Sequence, residues 1–258
     1  MIFNIFGIKY DQTQTLRKGA GKFPKMFKEE LSRAETFING VDLSEKMFVD
    51  RFEMLIPRDM RELNKMVEAR LSKASHFPLI IGGEHTISYY SLKSLLRRKK
   101  IDYAVVLDAH ADCESSLGHE GVVRRIARKI GEENVYLLGL RTMSKGEKEY
   151  LENSKINVYP DITRGISAVS GLEGRIYLSV DFDVLDPCFL PLVGNPEPGG
   201  VGWKDALALV SSVADRIVAI DFVEFTPMGI REIDRVYSHL ATKFILACAA
   251  EIIKSAEK

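Results

Sequence analysis

Three side chains able to bind a metal alternate in Asp108-Ala109-His110-Ala111-Asp112, directly after the apolar run Tyr103-Ala104-Val105-Val106-Leu107. That run, rich in β-branched and aromatic residues, predicts a buried parallel strand. If the chain stays extended beyond Leu107, a period of two turns Asp108, His110 and Asp112 to one face. Two carboxylates and an imidazole gathered there are costly unless a cation sits between them. The pattern recurs along the chain. The run Ile176-Tyr177-Leu178-Ser179-Val180 leads into Asp181-Phe182-Asp183, and Phe77-Pro78-Leu79-Ile80-Ile81 leads through Gly82-Gly83-Glu84 to His85. A further apolar run reaches Asp221-Phe222-Val223-Glu224.

Together His85, Asp108, His110, Asp112, Asp181 and Asp183 supply four carboxylates and two imidazoles. Such a set suits hard divalent ions such as manganese better than zinc or copper. Four carboxylates overload one divalent ion, whereas two ions sharing bridging carboxylates balance the charge. A metal pair also brings the pKa of a shared water towards neutrality, so the expected reaction class is metal-assisted hydrolysis.

The elements that must position these residues alternate between strands and helices. Residues 1–7 read as a first strand and 8–22 as a polar loop. Residues 23–37 have helical spacing with Pro24 at the start, and 52–56 form a short apolar run stopped by Pro57. Further helices are predicted at 59–72, 86–98, 145–153, 203–213 and 231–254, with strands at 134–140, 155–159 and 214–222. The resulting fold class is α/β: a three-layer wound sheet of about eight mostly parallel strands with helices on both faces. Each ligand cluster falls at a predicted carboxyl strand end, where wound sheets place their sites. No linker or repeat divides the chain, so residues 1–258 read as a single domain.

Composition narrows the function. Lys plus Arg equals Asp plus Glu at 36 each, so no global field favours nucleic acid or an acidic membrane. The basic runs at 97–100 and 124–129 read as solvated helix faces. No apolar run is expected to span a membrane. The start of the chain has no basic leader pattern, and three unpatterned cysteines suit reduced thiols, so a cytoplasmic protein is expected.

The sequence resembles the ureohydrolase family of arginases, agmatinases and their relatives. The resemblance rests on Gly82-Gly83-Glu84-His85-Thr86, the 108–112 motif, and Ser179-Val180-Asp181-Phe182-Asp183-Val184-Leu185-Asp186-Pro187. It also rests on Pro196-Glu197-Pro198-Gly199-Gly200 and on Asp221-Phe222-Val223-Glu224-Phe225-Thr226-Pro227, in that order. Calcineurin-like phosphoesterases share an Asp-x-His start, but their Gly-Asp-x-x-Asp and Gly-Asn-His segments are absent here.

The resemblance implies an arginase-like fold and two manganese ions. One ion would be held by His85, Asp108, Asp112 and Asp181, the other by Asp108, His110, Asp181 and Asp183, with Asp108 and Asp181 bridging. It implies hydrolysis of a guanidino compound to urea and an amine, with Asp112 relaying a proton and Glu224 pairing with the guanidinium. His119 resembles the family's proton-shuttling histidine, although relatives usually read Ser-His-Gly or Ser-His-Ala where this chain reads Gly118-His119-Glu120. A homo-oligomer, trimeric or hexameric, is implied as well.

The segment Cys113-Glu114-Ser115-Ser116-Leu117-Gly118 lacks the asparagine with which arginases resemble one another. Glu114 there disfavours a substrate carboxylate and favours an ammonium, which selects agmatine over arginine or guanidinobutyrate. Two other readings stay open: another guanidino-acid hydrolase, and an inactive metal-binding or regulatory homologue. The related one-zinc deacetylases use fewer carboxylates than stand here.

Overall fold

The computed structural model describes residues 1–257. Its chain order opens with β1 (Ile2–Ile8), α1 (Phe23–Leu31), β2 (Phe37–Ile38), β3 (Val41–Asp42), α2 (Leu43–Lys46), β4 (Phe48–Leu55) and α3 (Met60–Leu71). The middle comprises β5 (Phe77–Ile81), α4 (Thr86–Leu95), β6 (Tyr103–Leu107), α5 (Val122–Ile130), β7 (Val135–Leu138), α6 (Lys145–Glu152) and β8 (Asn157–Tyr159). It ends with α7 (Ile162–Ser170), β9 (Ile176–Asp181), α8 (Trp203–Val213), β10 (Ile217–Val223) and α9 (Arg231–Ala256). Eight strands form one sheet in the order β4-β1-β5-β10-β9-β6-β7-β8, and every pairing in it is parallel.

Alternation along the buried strands feeds two cores. Val105, Leu107, Ile176, Leu178 and Val180 point to the layer of α1, α7, α8 and α9, and Ala104, Val106 and Tyr177 to the layer of α3, α4 and α5. That is the period-two pattern of strands covered on both faces. Helix α9 is 26 residues long, and its 18-residue window of mean hydropathy 1.4 meets the length and composition of a membrane span. This corrects the expectation that no such run exists. Two-thirds of that window is buried within the protein, so the apolarity serves the core.

Other local expectations shift too. The helix expected over 23–37 stops at Leu31, and a short antiparallel hairpin of β2 and β3 follows. The run at 52–56 is the end of a longer, mostly exposed edge strand, β4. Helix α7, which the sequence reading passed over, is capped by Asp161, whose carboxylate accepts from the Thr163 and Arg164 amides. The expected parallel sheet of eight strands is present, and the antiparallel β2–β3 pair lies outside it.

The topology creates the site. After β5 the chain crosses through α4 to β6, and β9 and β10 later fill the gap between them. The carboxyl ends of β5, β10, β9 and β6 therefore open onto one crevice, as expected at a switch in strand order.

Candidate active site and metal centre

His85 enters the crevice from the turn between β5 and α4. Glycine is required there: a Cβ on Gly83 would stand 2.0 Å from the Tyr10 carbonyl oxygen. The Glu84 amide donates to that same oxygen at 2.8 Å, and the Gly83 carbonyl accepts from the Glu224 amide at 2.8 Å. The turn is thus pinned between the ends of β1 and β10. His85 is fully buried, and its Nδ1 lies 3.0 Å from Asp108 Oδ2, 3.1 Å from Asp112 Oδ2 and 3.4 Å from Asp181 Oδ2.

His110 forms a second group. Its Nδ1 lies 2.8 Å from Asp183 Oδ2 and 3.6 Å from Asp108 Oδ1. The two sets that could hold an ion are therefore His85, Asp108 and Asp181, and Asp108, His110 and Asp183, with Asp108 common to both. Asp112 joins the first through its contact with His85. Asp108, His110 and Asp112 do not share a strand face, because β6 ends at Leu107 and Asp112 takes a left-handed backbone with φ of 46°. A turn brings Asp112 back under His85 while His110 faces Asp183. Asp181 stands with His85, and its Oδ1 accepts the Asp183 amide at 2.9 Å.

The donor set fits a divalent ion on the structure's own terms. Metal–ligand bonds of about 2.1 Å set neighbouring ligand atoms about 3 Å apart in octahedral geometry, which is the spacing around His85 Nδ1. Asp108 Oδ2 is buried and has no hydrogen-bond donor, although His85 Nδ1 lies 3.0 Å away. A buried carboxylate oxygen so placed is costly unless it has a partner.

The electrostatics agree. Without metal, burial raises Asp112 to about 7 and Glu224 to about 8, and holds Asp181 well above the usual carboxylate range. Burial opposes the charged forms of His85 and His110, but hydrogen bonds to the neighbouring aspartates outweigh it, lifting His85 well above its usual range and His110 to about 11. Protons stand where the ligand set calls for metal charge.

His85 is also fixed from behind. Its Nε2 lies 3.1 Å from Ser179 Oγ, which donates to Asp221 Oδ1 at 2.7 Å. The Tyr177 hydroxyl donates to the other Asp221 oxygen. With the Ser179 proton committed to the carboxylate, its oxygen accepts Nε2–H, so the nitrogen that would give up its proton to a metal is Nδ1, which faces Asp108, Asp112 and Asp181. The Asn195 side-chain nitrogen lies 2.8 Å from His110 Nε2 and holds the second ring in place.

Glu224 follows β10 with φ of 67°, a conformation that non-glycine residues seldom adopt. Its Oε1 accepts the His85 amide at 2.7 Å and its Oε2 the Gln14 side-chain amide at 2.5 Å. Glu224, Asp112, Asp181, Asp183, His110 and His119 line one cavity of about 260 Å³. Glu114 and Glu120 stand on its wall. Glu114 accepts from the Ser144 hydroxyl at 2.6 Å, whereas the Glu120 carboxylate makes no hydrogen bond or ion pair among the described residues. The one Arg on the lining, Arg17, is engaged through Nη2 by the Val193 and Thr226 carbonyls.

The structure thus gathers all nine residues singled out in the sequence around one crevice. Sequence reading missed Gln14, Ser179, Asn195 and Arg141. Arg141 Nη2 donates to the Asp183 and Glu197 carbonyls at 2.6 and 3.0 Å, tying the 196–200 motif to the aspartate turn. Ser179 and Asn195 sit within or beside quoted motifs, so their position was a usable signal. Gln14 and Arg141 lie in segments with no pattern of their own.

Known proteins carry this architecture. The sequence model of the Arginase family matches residues 2–250. An agmatinase of Bacillus anthracis is 33% identical over 243 residues, covering 87% of this chain and 83% of its own. An arginase of Bacillus subtilis is 29% identical over 201 residues, 65% of this chain and 66% of its own. Among solved structures, the agmatine ureohydrolase of Thermoplasma volcanium superposes with a TM-score of 0.86 at 28% identity, covering 99% of this chain and 89% of that one. A crystal structure of arginase from Bacillus subtilis, at 22% identity and a TM-score of 0.78, shares the fold. The His/Asp cluster is suited to metal binding, and with these matches the chain belongs to the arginase family of metal-dependent hydrolases acting on guanidino compounds.

Proposed function

We propose that the protein hydrolyses agmatine to putrescine and urea, as a single-domain binuclear manganese enzyme. The observation that carries the reading is the Glu224 carboxylate, set into the cavity beside the His/Asp cluster with three further acids, Glu114, Glu120 and Glu147, on the wall. His85, Asp108, Asp112 and Asp181 would hold one ion and Asp108, His110, Asp181 and Asp183 the other. Two such ions, once bound, bring a shared water close to hydroxide at neutral pH.

The remaining roles belong to the chain. Glu224, held by the His85 amide and Gln14, keeps lone pairs for the planar N–H groups of a guanidinium. Asp112, next to the first metal group, accepts the proton of the attacking water and relays it to the departing nitrogen. Burial lowers the pKa of His119, so its imidazole is neutral at neutral pH and able to carry a proton at the cavity edge. Glu114 and Glu120 receive the distal ammonium of the substrate. Arg17 is anchored through Nη2 by the Val193 and Thr226 carbonyls, and the acids on the wall disfavour a substrate carboxylate, which selects against arginine and guanidinobutyrate.

The intact ligand set argues against an inactive regulatory homologue. We also propose a cytoplasmic protein, supported by three free cysteines, and a trimer or hexamer, supported by the exposed apolar residues Met228, Ile230, Ile233 and Val236 around the start of α9. The test is urea release by manganese-loaded protein on agmatine, arginine and guanidinobutyrate in parallel. Urea from agmatine alone is expected. Urea from arginine alone overturns the specificity, and silence on all three with little metal bound overturns the enzyme reading.

A further inference from the structure

We infer that Thr13 and Glu84 act as positioning residues that fix the tautomer of His119 from outside the metal cluster. The inference rests on the role proposed above for His119, although the tautomer itself can be read without turnover. Glu84 is fully buried and has no cationic partner within ion-pair distance among the described residues. It is held by donors from the loop after β1: the Thr13 amide at 2.6 Å, the Thr13 hydroxyl at 2.5 Å and the Gln14 amide at 3.2 Å. Both Glu84 oxygens are thus occupied as acceptors, Oε1 by the Thr13 hydroxyl and Oε2 by the two amides.

The consequence follows from one hydrogen atom. Thr13 has a single hydroxyl proton, and Glu84 takes it. Towards every other neighbour Thr13 Oγ1 can only accept. Two of those neighbours belong to His119: its amide at 3.1 Å and its Nδ1 at 3.3 Å. With two lone pairs, Thr13 Oγ1 takes the His119 amide and one further donor, for which Nδ1–H competes with the Thr86 hydroxyl, also 3.3 Å away. If Nδ1 were unprotonated, its lone pair would face an oxygen lone pair. The arrangement therefore places the ring proton on Nδ1 and leaves Nε2 as the basic nitrogen.

Gly118 permits the contact, since a Cβ there would stand 2.8 Å from Thr13 Oγ1. The chain Glu84–Thr13–His119 draws on three separate segments, and none of the three is a metal ligand. Its work is to hold the shuttle in the form whose Nε2 can accept a proton.

The test compares wild type with Thr13→Val and Thr13→Ser, loaded with diamagnetic magnesium for spectroscopy and with manganese for turnover. Long-range ¹H–¹⁵N spectra of the imidazoles, with the His119 signal assigned by its loss in His119→Gln, report which nitrogen is protonated. The expected result is an Nδ1–H tautomer in wild type and Thr13→Ser, and loss of that preference in Thr13→Val. In urea release, Thr13→Val should lower kcat at least about tenfold with KM within twofold, with Thr13→Ser close to wild type. An Nε2–H tautomer in wild type overturns the inference, as does a Thr13→Val enzyme with unchanged tautomer and kcat. If wild type releases no urea from any guanidino substrate, the proposed function fails while the spectra still decide the relay.

Discussion

Removing the Ser179 hydroxyl tests whether His85 is a metal ligand oriented through the chain behind it. In Ser179→Ala, His85 Nε2 loses its acceptor and Asp221 Oδ1 loses a donor 2.7 Å away, both in fully buried surroundings. Asp221 keeps the Tyr177 hydroxyl on its other oxygen. Leaving one buried acceptor short of a partner costs about 1–3 kcal/mol of folding stability. Removing an outer partner of a metal-binding histidine weakens metal affinity about 10–100-fold, or about 1.4–2.7 kcal/mol. Calorimetric titration of metal-free protein with manganese at 25 °C, where both proteins are folded, measures the second quantity apart from the first. Thermal melts with and without metal give a check, because the metal's contribution to stability should shrink by the same amount at saturating manganese. A Ser179→Ala protein that melts lower yet binds manganese within twofold of wild type would refute the reasoning: the serine would then be packing alone.

Three further outcomes are expected. In the metal-free protein Asp112 and Glu224 are raised by burial to about 7 and about 8, and His85 and His110 are raised by their aspartates, so each holds its proton to higher pH folded than unfolded. Above pH 6.5, the ordinary histidine value, the unfolded chain binds fewer protons, so stability should fall as pH rises to 8. A differential scanning series should show that fall, and saturating manganese should abolish it. A metal-free melting temperature that climbs across this window contradicts the buried cluster. Glu120→Gln should raise KM for agmatine about two- to fivefold at low salt and leave KM for an alkylguanidine with an uncharged tail unchanged, since a wall carboxylate acts on the ammonium alone. Equal effects on both substrates would remove Glu120 from ammonium recognition. Gly83→Ala should destabilise the protein by about 3 kcal/mol or more in urea denaturation, because its Cβ would stand 2.0 Å from the Tyr10 carbonyl oxygen; wild-type stability would show that this turn is not tightly held.

The sequence by itself determined the class of fold and the identity of the chemistry. Buried strands announce themselves as short β-branched runs, and a metal site requires residue types that are expensive anywhere else. Asp108, His110, Asp181 and Asp183 could therefore be found from local order alone. What surrounds them could not. Which carboxylate faces which imidazole depends on β9 and β10 being inserted between β5 and β6, a non-local choice that no window of sequence contains. The left-handed turn at Asp112 overrode the simple alternation that the pentapeptide suggested, because closing the first group around His85 mattered more than continuing the strand. Sequence reading overlooked that α9 meets the length and composition of a membrane span, and only its burial in the fold assigns that apolarity to the core. Gln14, Thr13 and Arg141 stand in segments without periodicity. Their side chains gain meaning only when folding brings a polar loop against a buried Glu84, a strained Glu224 or an aspartate turn, and a hydrogen-bond partner far along the chain leaves no trace in local order.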